Sequence, residues 1–301
     1  MARPGVLRAA TRGSALARWQ TGHVAGLLGQ GVEEVVVETA GDRHQDLPIW
    51  EMGGQGVFVK EVQAFVLDGR ADFAVHSAKD LPSAPTPGLV LAAVPQRGDP
   101  RDMLVGSTLE GLAPGALVAT GSVRRRAQLA WLRSDLTFTG LRGSIDTRLA
   151  KASRYAAIVM AAVAVERLDR RPPVCQALEP HVMLPQVAQG ALAVECREGD
   201  ERVLPVLAAI DHGPSRRAVE AERAYLAELG SGCALPVAAH ARPGADGSLR
   251  LDVLLSSLDG RIVLRTGDES DDGQALGRRL ARRLLDEAGG GWLIEGLRGL
   301  R

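Results

Sequence analysis

The feature that most constrains this chain is a strand–corner–helix unit that recurs and then restarts. Val6–Thr11 reads as a strand and Ser14–Leu28 as a helix, followed by a strand at Glu34–Thr39, a helix at Val59–Leu67 and strands at Phe73–His76 and Leu89–Val94. Pro95-Gln-Arg-Gly-Asp-Pro-Arg101 is polar and turn-rich, as a linker would be. The rhythm then begins again with a strand at Ala116–Thr120, a helix at Ser122–Leu132, a strand at Leu136–Thr139, a helix at Ile145–Ala152 and a strand at Ala156–Met160. Such alternation predicts α/β lobes built on parallel sheets with helices on their faces.

Arg170-Arg-Pro-Pro173 breaks the second run, and Ala191–Cys196 reads as a strand returning to the first sheet. A helix is expected over Ser215–Leu229. Val237–Ala241, Leu249–Leu255 and Arg261–Thr266 then alternate as antiparallel strands, with turns at Gly244-Ala-Asp-Gly247 and Leu258-Asp-Gly260. A helix at Asp271–Ala288 closes the pattern. The domains expected are 1–95, to which 190–213 returns, 101–186, and a small α+β domain at 215–301.

Charge narrows the choice of ligand. Lys and Arg number 36, as do Asp and Glu, so the net charge is zero, which argues against a general polyanion binder. The balance is uneven: residues 118–171 hold ten Arg and Lys151 against four acidic residues. Only Lys60, Lys79 and Lys151 are lysines and Asn is absent, which fits either a thermophile or a GC-rich coding bias. The N-terminus has no apolar signal core, and no run reaches the ~18 apolar residues of a membrane span. Cys175, Cys196 and Cys233 form no C-x-x-C, and the histidines show no metal spacing. The expectation is a reducing cytoplasm with no metal site.

Four segments could carry chemistry. In Thr120-Gly-Ser-Val-Arg-Arg-Arg126, Thr120 or Ser122 would cap a helix whose first turn holds Arg124 and Arg125. Cations there oppose the helix dipole unless an anion is present, which suggests a carboxylate or phosphate site. Leu141-Arg-Gly-Ser-Ile-Asp-Thr-Arg-Leu149 repeats the corner with Ser144 as cap and Arg142 and Arg148 flanking it. Arg12 precedes Ser14 in the same way. Three such corners at strand carboxyl ends suit a small polyanion, since guanidinium groups bind carboxylates bidentately. Each corner alone would equally be a plain cap with solvated arginines.

Phe73-Ala-Val-His-Ser-Ala-Lys-Asp-Leu-Pro82 delivers His76, Ser77, Lys79 and Asp80 into a strand-end loop. Asp80 there is a general acid/base candidate or a turn cap, and Lys79 could pair with it or bind a substrate acid. Gly230-Ser-Gly-Cys-Ala-Leu-Pro236 displays Cys233 between small residues, whereas Cys175 and Cys196 read as buried and inert. Met52-Gly-Gly-Gln-Gly-Val-Phe-Val-Lys60 lacks P-loop spacing and reads as a lid or turn.

Together these segments resemble the hydroxymethylbilane synthase (porphobilinogen deaminase) family over nearly the whole chain. The resemblance is carried by Ala10–Ala17, Gly53–Glu61, Ala71–Pro82, Gly121–Arg125, Leu141–Leu149, Gln189–Cys196, Glu222-Arg-Ala224 and Gly232–Pro236. It implies two type II periplasmic-binding-protein-like lobes with a cleft between, a third small domain, and a dipyrromethane cofactor held by a thioether at Cys233. It implies Asp80 as the catalytic residue. Ser77, Lys79, Thr120, Ser122, Arg124, Arg125, Arg148 and Gln189 would hold the cofactor, and Arg12, Ser14, Arg142 and Arg167 the substrate.

The implied reaction joins four porphobilinogen molecules head to tail, each losing ammonia, and water releases linear hydroxymethylbilane. A cytoplasmic monomer that passes its product to a uroporphyrinogen III synthase is implied too. The chain departs from the family at Gln55, where Lys is usual, and Arg126 exceeds the usual pair. The competing readings are a non-enzymatic two-lobed anion-binding protein and a nucleic-acid binder. An unexplained Cys233 loop counts against the first, and zero net charge with few aromatics against the second.

Overall fold

A computed structural model describes residues 6–39, 59–230, 235–244 and 246–298. The chain divides into two compact units, one formed by residues 1–98 and 190–216, the other by 99–189 and 217–301. The elements, in chain order, are β1 (Leu7–Arg12), α1 (Ala15–Leu28), β2 (Val32–Val37), α2 (Lys60–Leu67), β3 (Phe73–Ser77) and β4 (Leu89–Ala93). Then come β5 (Asp102–Val105), β6 (Leu117–Ala119), α3 (Val123–Leu132), β7 (Thr137–Thr139), α4 (Ile145–Lys151), β8 (Ala157–Ala161), α5 (Ala162–Arg167) and β9 (Cys175–Leu178). The chain ends with β10 (Leu192–Arg197), α6 (Leu204–Ala208), α7 (Gly213–Glu228), β11 (Val237–Pro243), β12 (Leu249–Ser256), β13 (Val263–Ser270), α8 (Gly273–Arg282) and α9 (Gly290–Arg298).

The first unit holds a five-stranded sheet in the order β2-β1-β3-β10-β4. Strand alternation sends Phe73 and Val75 to one face and Ala74 and His76 to the other. The first face packs Leu7, Ala9, Leu192 and Val194 with Val24 of α1 and Leu207 of α6. The second packs Ala10, Val37 and Leu89 with Val62 and Val66 of α2. Helix α1 earns its place by spacing: Ala17, Gln20, Thr21 and Val24 are buried at the three-and-four interval of one helical face.

The second unit repeats the plan with a sheet in the order β7-β6-β8-β5-β9. Val118, Ala157 and Val159 meet Leu129 of α3 on one face, while Ala119, Ile158 and Met160 meet Leu141 and Val165 on the other. The architecture is the α/β type expected, with a five-stranded sheet in each unit. The sheets expected to be parallel are mixed: β10 runs antiparallel to β3 and β4, and β5 antiparallel to β8 and β9. Neither β10 nor β5 enters through a βαβ crossover, so nothing obliges it to run parallel.

The antiparallel sheet β11-β12-β13 belongs to the second unit, where Ala238 and Leu254 pack on Leu184. Its helices come unusually close. A Cβ added at Gly277 of α8 would collide with the backbone carbonyl of Ala221 and lie 2.8 Å from the amide nitrogen of Tyr225, both on α7. Backbone cannot yield as a side chain tip does. Gly277→Ala is therefore expected to lower stability by about 1–3 kcal/mol, read as a reduced denaturation midpoint at constant m-value.

Candidate active site

In the first unit, β1 ends at Arg12 and Ser14 caps α1, its Oγ accepting from the Ala17 amide at 3.2 Å. Neighbouring β3 ends at Ser77 and turns through a 3₁₀ segment, Ala78–Asp80, that lifts Lys79 and Asp80 out of the sheet. Arg12, Gln20, His76, Ser77 and Asp80 line one recess, with Ala17, Val59 and Val75 as its apolar wall. Gln20 Nε2 donates to Ser77 Oγ at 2.8 Å, and the Ala78 amide donates to the Ala191 carbonyl at 3.0 Å, so both ends of β3's exit are fixed. Parallel strands β1 and β3 necessarily deliver their carboxyl ends to the same edge, which is why two distant motifs meet here. Gln20 was not singled out in the sequence. Its signal is a polar residue on the buried stripe of α1.

In the second unit, Ser122 caps α3, accepting from the Arg125 amide at 3.4 Å, and Thr120 Oγ1 accepts from the Ser122 amide at 3.2 Å. Arg124 and Arg125 point inward, at 3% and 7% exposure. Arg124 Nη1 donates to Asp102 Oδ2 at 2.7 Å and to the Leu184 carbonyl at 2.8 Å. Arg125 Nε donates to Asp102 Oδ1 at 2.8 Å, which also accepts from Gln189 Nε2 at 3.0 Å. The anion demanded by two arginines in a first helical turn is thus supplied partly from within. Two guanidinium groups face one carboxylate, and Arg124 Nε and Nη2 are buried without a hydrogen-bond partner among the described residues.

Asp102 itself has no exposed surface. Burial pushes its pKa up, but the charges of Arg124 and Arg125 outweigh this and hold it well below the ordinary carboxylate range. The sequence did not single out Asp102. Its signal lay in the arginine pair, whose burial requires a carboxylate somewhere in the fold. Gln189 is positioned by strain: Ala188 adopts a φ of 58°, and its amide is held at 2.6 Å by Oε2 of Glu222, whose Oε1 accepts from the Ala241 amide at 2.8 Å.

The next corner follows β7. Gly143, at a φ of 115°, turns the chain into α4, where Ser144 Oγ accepts from the Thr147 amide at 3.2 Å. Arg148 Nε donates to the Gly143 carbonyl at 2.8 Å. Burial lowers the pKa of the Arg142 guanidinium, and Arg167 at the end of α5 is lowered by burial to about 10. The Cys233 loop and the Gly53–Gly56 loop with Gln55 lie outside the described residues. Cys196 is buried, its thiol pushed up to about 11 chiefly by desolvation, whereas Cys175 is exposed, against the expectation of burial for both.

These features define an α/β protein with a carboxylate at one strand-end loop and two inward-facing guanidinium groups at another strand–helix corner. The family model for the porphobilinogen deaminase dipyrromethane cofactor binding domain matches residues 7–205, and that for the porphobilinogen deaminase C-terminal domain matches residues 216–286. A porphobilinogen deaminase of Acidothermus cellulolyticus is 47% identical, covering 96% of this chain and 91% of that one. Another of Roseiflexus castenholzii is 45% identical over 95% and 97% of the respective chains. A third, of Nitratidesulfovibrio vulgaris strain Miyazaki F, is 42% identical over 95% of each. The chain belongs to the porphobilinogen deaminase family.

Proposed function

We propose that this chain is a hydroxymethylbilane synthase, a transferase that condenses four porphobilinogen molecules with loss of four ammonia molecules and releases the linear tetrapyrrole by hydrolysis. The observation that carries the reading is Asp80 sharing one recess with Arg12 and Ser77 at the carboxyl ends of β1 and β3. Porphobilinogen bears an acetate, a propionate and an aminomethyl group. Arg12 pairs with an acid side chain and orients the pyrrole. Asp80 moves the proton that accompanies ammonia loss and stabilises positive charge at the pyrrole N–H.

The second unit's donors fit a dipyrromethane, whose acid groups require several cations in a dry site. Arg124 offers two buried N–H-bearing nitrogens without hydrogen-bond partners among the described residues. Arg125, Arg148, Thr120, Ser122, Gln189, Ser77 and Lys79 are the further residues we assign to holding it. Ser14, Arg142 and Arg167 would serve incoming substrate. When bound through a thioether to Cys233, the group supplies the nucleophilic pyrrole carbon on which the product is built.

The division into 1–95 with 190–213, 101–186 and 215–301 belongs to the same reading. So do a cytoplasmic monomer and transfer of product to a uroporphyrinogen III synthase. No helix among the described residues is long and apolar enough to cross a membrane.

The test is direct. Purified from a porphyrin-making host, the denatured protein is expected to weigh more than its polypeptide by one dipyrromethane, and to release ammonia from porphobilinogen. Cys233→Ser is expected to lose both the added mass and turnover. A bare polypeptide mass together with full activity overturns the covalent role of Cys233, and absence of porphobilinogen consumption overturns the function.

A further inference from the structure

Strand β3 feeds Asp80 into the recess, and the chain then leaves through residues 81–88 towards β4. A chain of polar side chains, three of them buried, joins the entry of this loop to its exit. His76 Nε2 lies 3.1 Å from Oε2 of Glu195 on β10, a close polar contact whose angle does not make it a hydrogen bond. The same oxygen accepts from Gln63 Nε2 of α2 at 2.8 Å, and Gln63 Oε1 accepts from Thr86 Oγ1 at 3.0 Å. His76, Glu195 and Gln63 are 5%, 6% and 3% exposed, and Thr86 is half-buried.

The sheet register makes this geometry. Ala193 lies opposite His76 and Glu195 opposite Ala74, so His76 and Glu195 are diagonal neighbours on one face. Around them on that face pack Ala10, Val37, Ala74, Val62 and Val66. A carboxylate at such depth is tolerable only when hydrogen-bonded, and an apolar side chain would fill the space at less cost. What polar groups supply here and apolar ones cannot is direction, because each bond fixes one atom against another.

We infer that His76, Glu195, Gln63 and Thr86 are positioning residues for Asp80: they staple residue 76 to residue 86 and fix the loop between them. The inference rests on Asp80 being the catalytic residue. From the opposite side of the loop's start, Gln20 holds Ser77. Reactions that depend on placing a proton-transfer group lose up to ~100-fold for ~1 Å of displacement.

Thr86→Val is the test. It is nearly isosteric, lies at the loop's outer end away from the recess, and removes only the hydroxyl that donates to Gln63. It is expected to lower kcat about tenfold with KM unchanged, and to accelerate amide hydrogen exchange over residues 78–85 relative to the rest of the first unit. Thr86→Ser, which keeps the hydroxyl, restores both. Wild-type kcat in Thr86→Val overturns the inference, as does an equal fall in Thr86→Ser or a fall without faster loop exchange. If the wild-type chain fails to consume porphobilinogen, the proposed function fails. Loop exchange alone then decides the staple: acceleration in Thr86→Val but not in Thr86→Ser upholds it, and identical exchange overturns it.

Discussion

Asp80→Asn is expected to cut porphobilinogen turnover by about 10²–10⁴-fold, the range for losing a positioned acid/base. The amide matches the carboxylate in shape, and Asp80 sits half-buried on a 3₁₀ turn rather than in the packed core, so the variant should fold with an unchanged thermal midpoint. What it loses is the charge and the proton acceptor in the recess shared with Arg12 and Ser77. The loss therefore falls on kcat, with KM little altered, because substrate acid groups still find Arg12. Parallel measurement of kcat, KM and thermal midpoint separates this from misfolding. Near-normal kcat in a correctly folded Asp80→Asn protein removes Asp80 from the chemistry.

Asp102→Ala is expected to cost about 3–5 kcal/mol of stability, because it leaves two buried guanidinium groups without their carboxylate. Burial disfavours the charge on Arg125, and Asp102 is the group that opposes this. The Leu184 and Val159 carbonyls that also accept from Arg124 and Arg125 carry only partial charge and cannot replace the carboxylate.

The pH dependence follows from the direction of the Asp102 shift. Its folded pKa is depressed, so the contribution of ionised Asp102 is fully present above the ordinary carboxylate value of about 4 and is lost as pH falls through the lower, folded value. Wild-type stability should therefore fall more steeply below about pH 4 than that of Asp102→Ala, by the uptake of one proton. Urea titrations at pH 7 and in steps below pH 4 measure both effects. An unchanged midpoint in Asp102→Ala at pH 7 would show that the pair contributes nothing net.

Most strands and helices of the two lobes were legible because their apolar spacing matches one period each: two in Phe73–His76, three and four across Ala17–Val24. The short strands β5 and β9 were not. Asp102–Val105 follows a polar linker and opens on a charged residue whose partners are distant in sequence, and Cys175-Gln-Ala-Leu178 is too short for a period to register. The C-terminal helix was read as one piece over Asp271–Ala288. It runs over that range as α8 continued by a π turn at Arg283–Glu287, whereas α9, which follows Gly289 at a φ of 80°, was not read.

At the candidate site, the corners themselves were readable: Ser14, Ser122 and Ser144 each cap a helix, as their placement before an amphipathic run requires. The direction of the arginines was not. Nothing local tells whether Arg124 points to solvent or to Asp102, since that choice depends on which strand lies beneath the helix. The same limit hid Glu195, whose partners His76 and Gln63 are 119 and 132 positions away and meet it only through sheet pairing.

The returning strand has a consequence for how the chain is made. Strand β10 lies between β3 and β4 in the first sheet, yet it is translated about a hundred residues after both. All five strands of the second sheet, residues 102–178, emerge from the ribosome before it. The order of synthesis and the order of completion are therefore inverted: the sheet begun first is finished last. Until Leu192–Arg197 arrives, β3 and β4 each present an unpaired edge, the kind of surface that aggregates or recruits chaperones during slow, non-local folding. Because Glu195 comes with that strand, the loop bearing Asp80 is also among the last parts to be locked, once β10 closes the gap between β3 and β4.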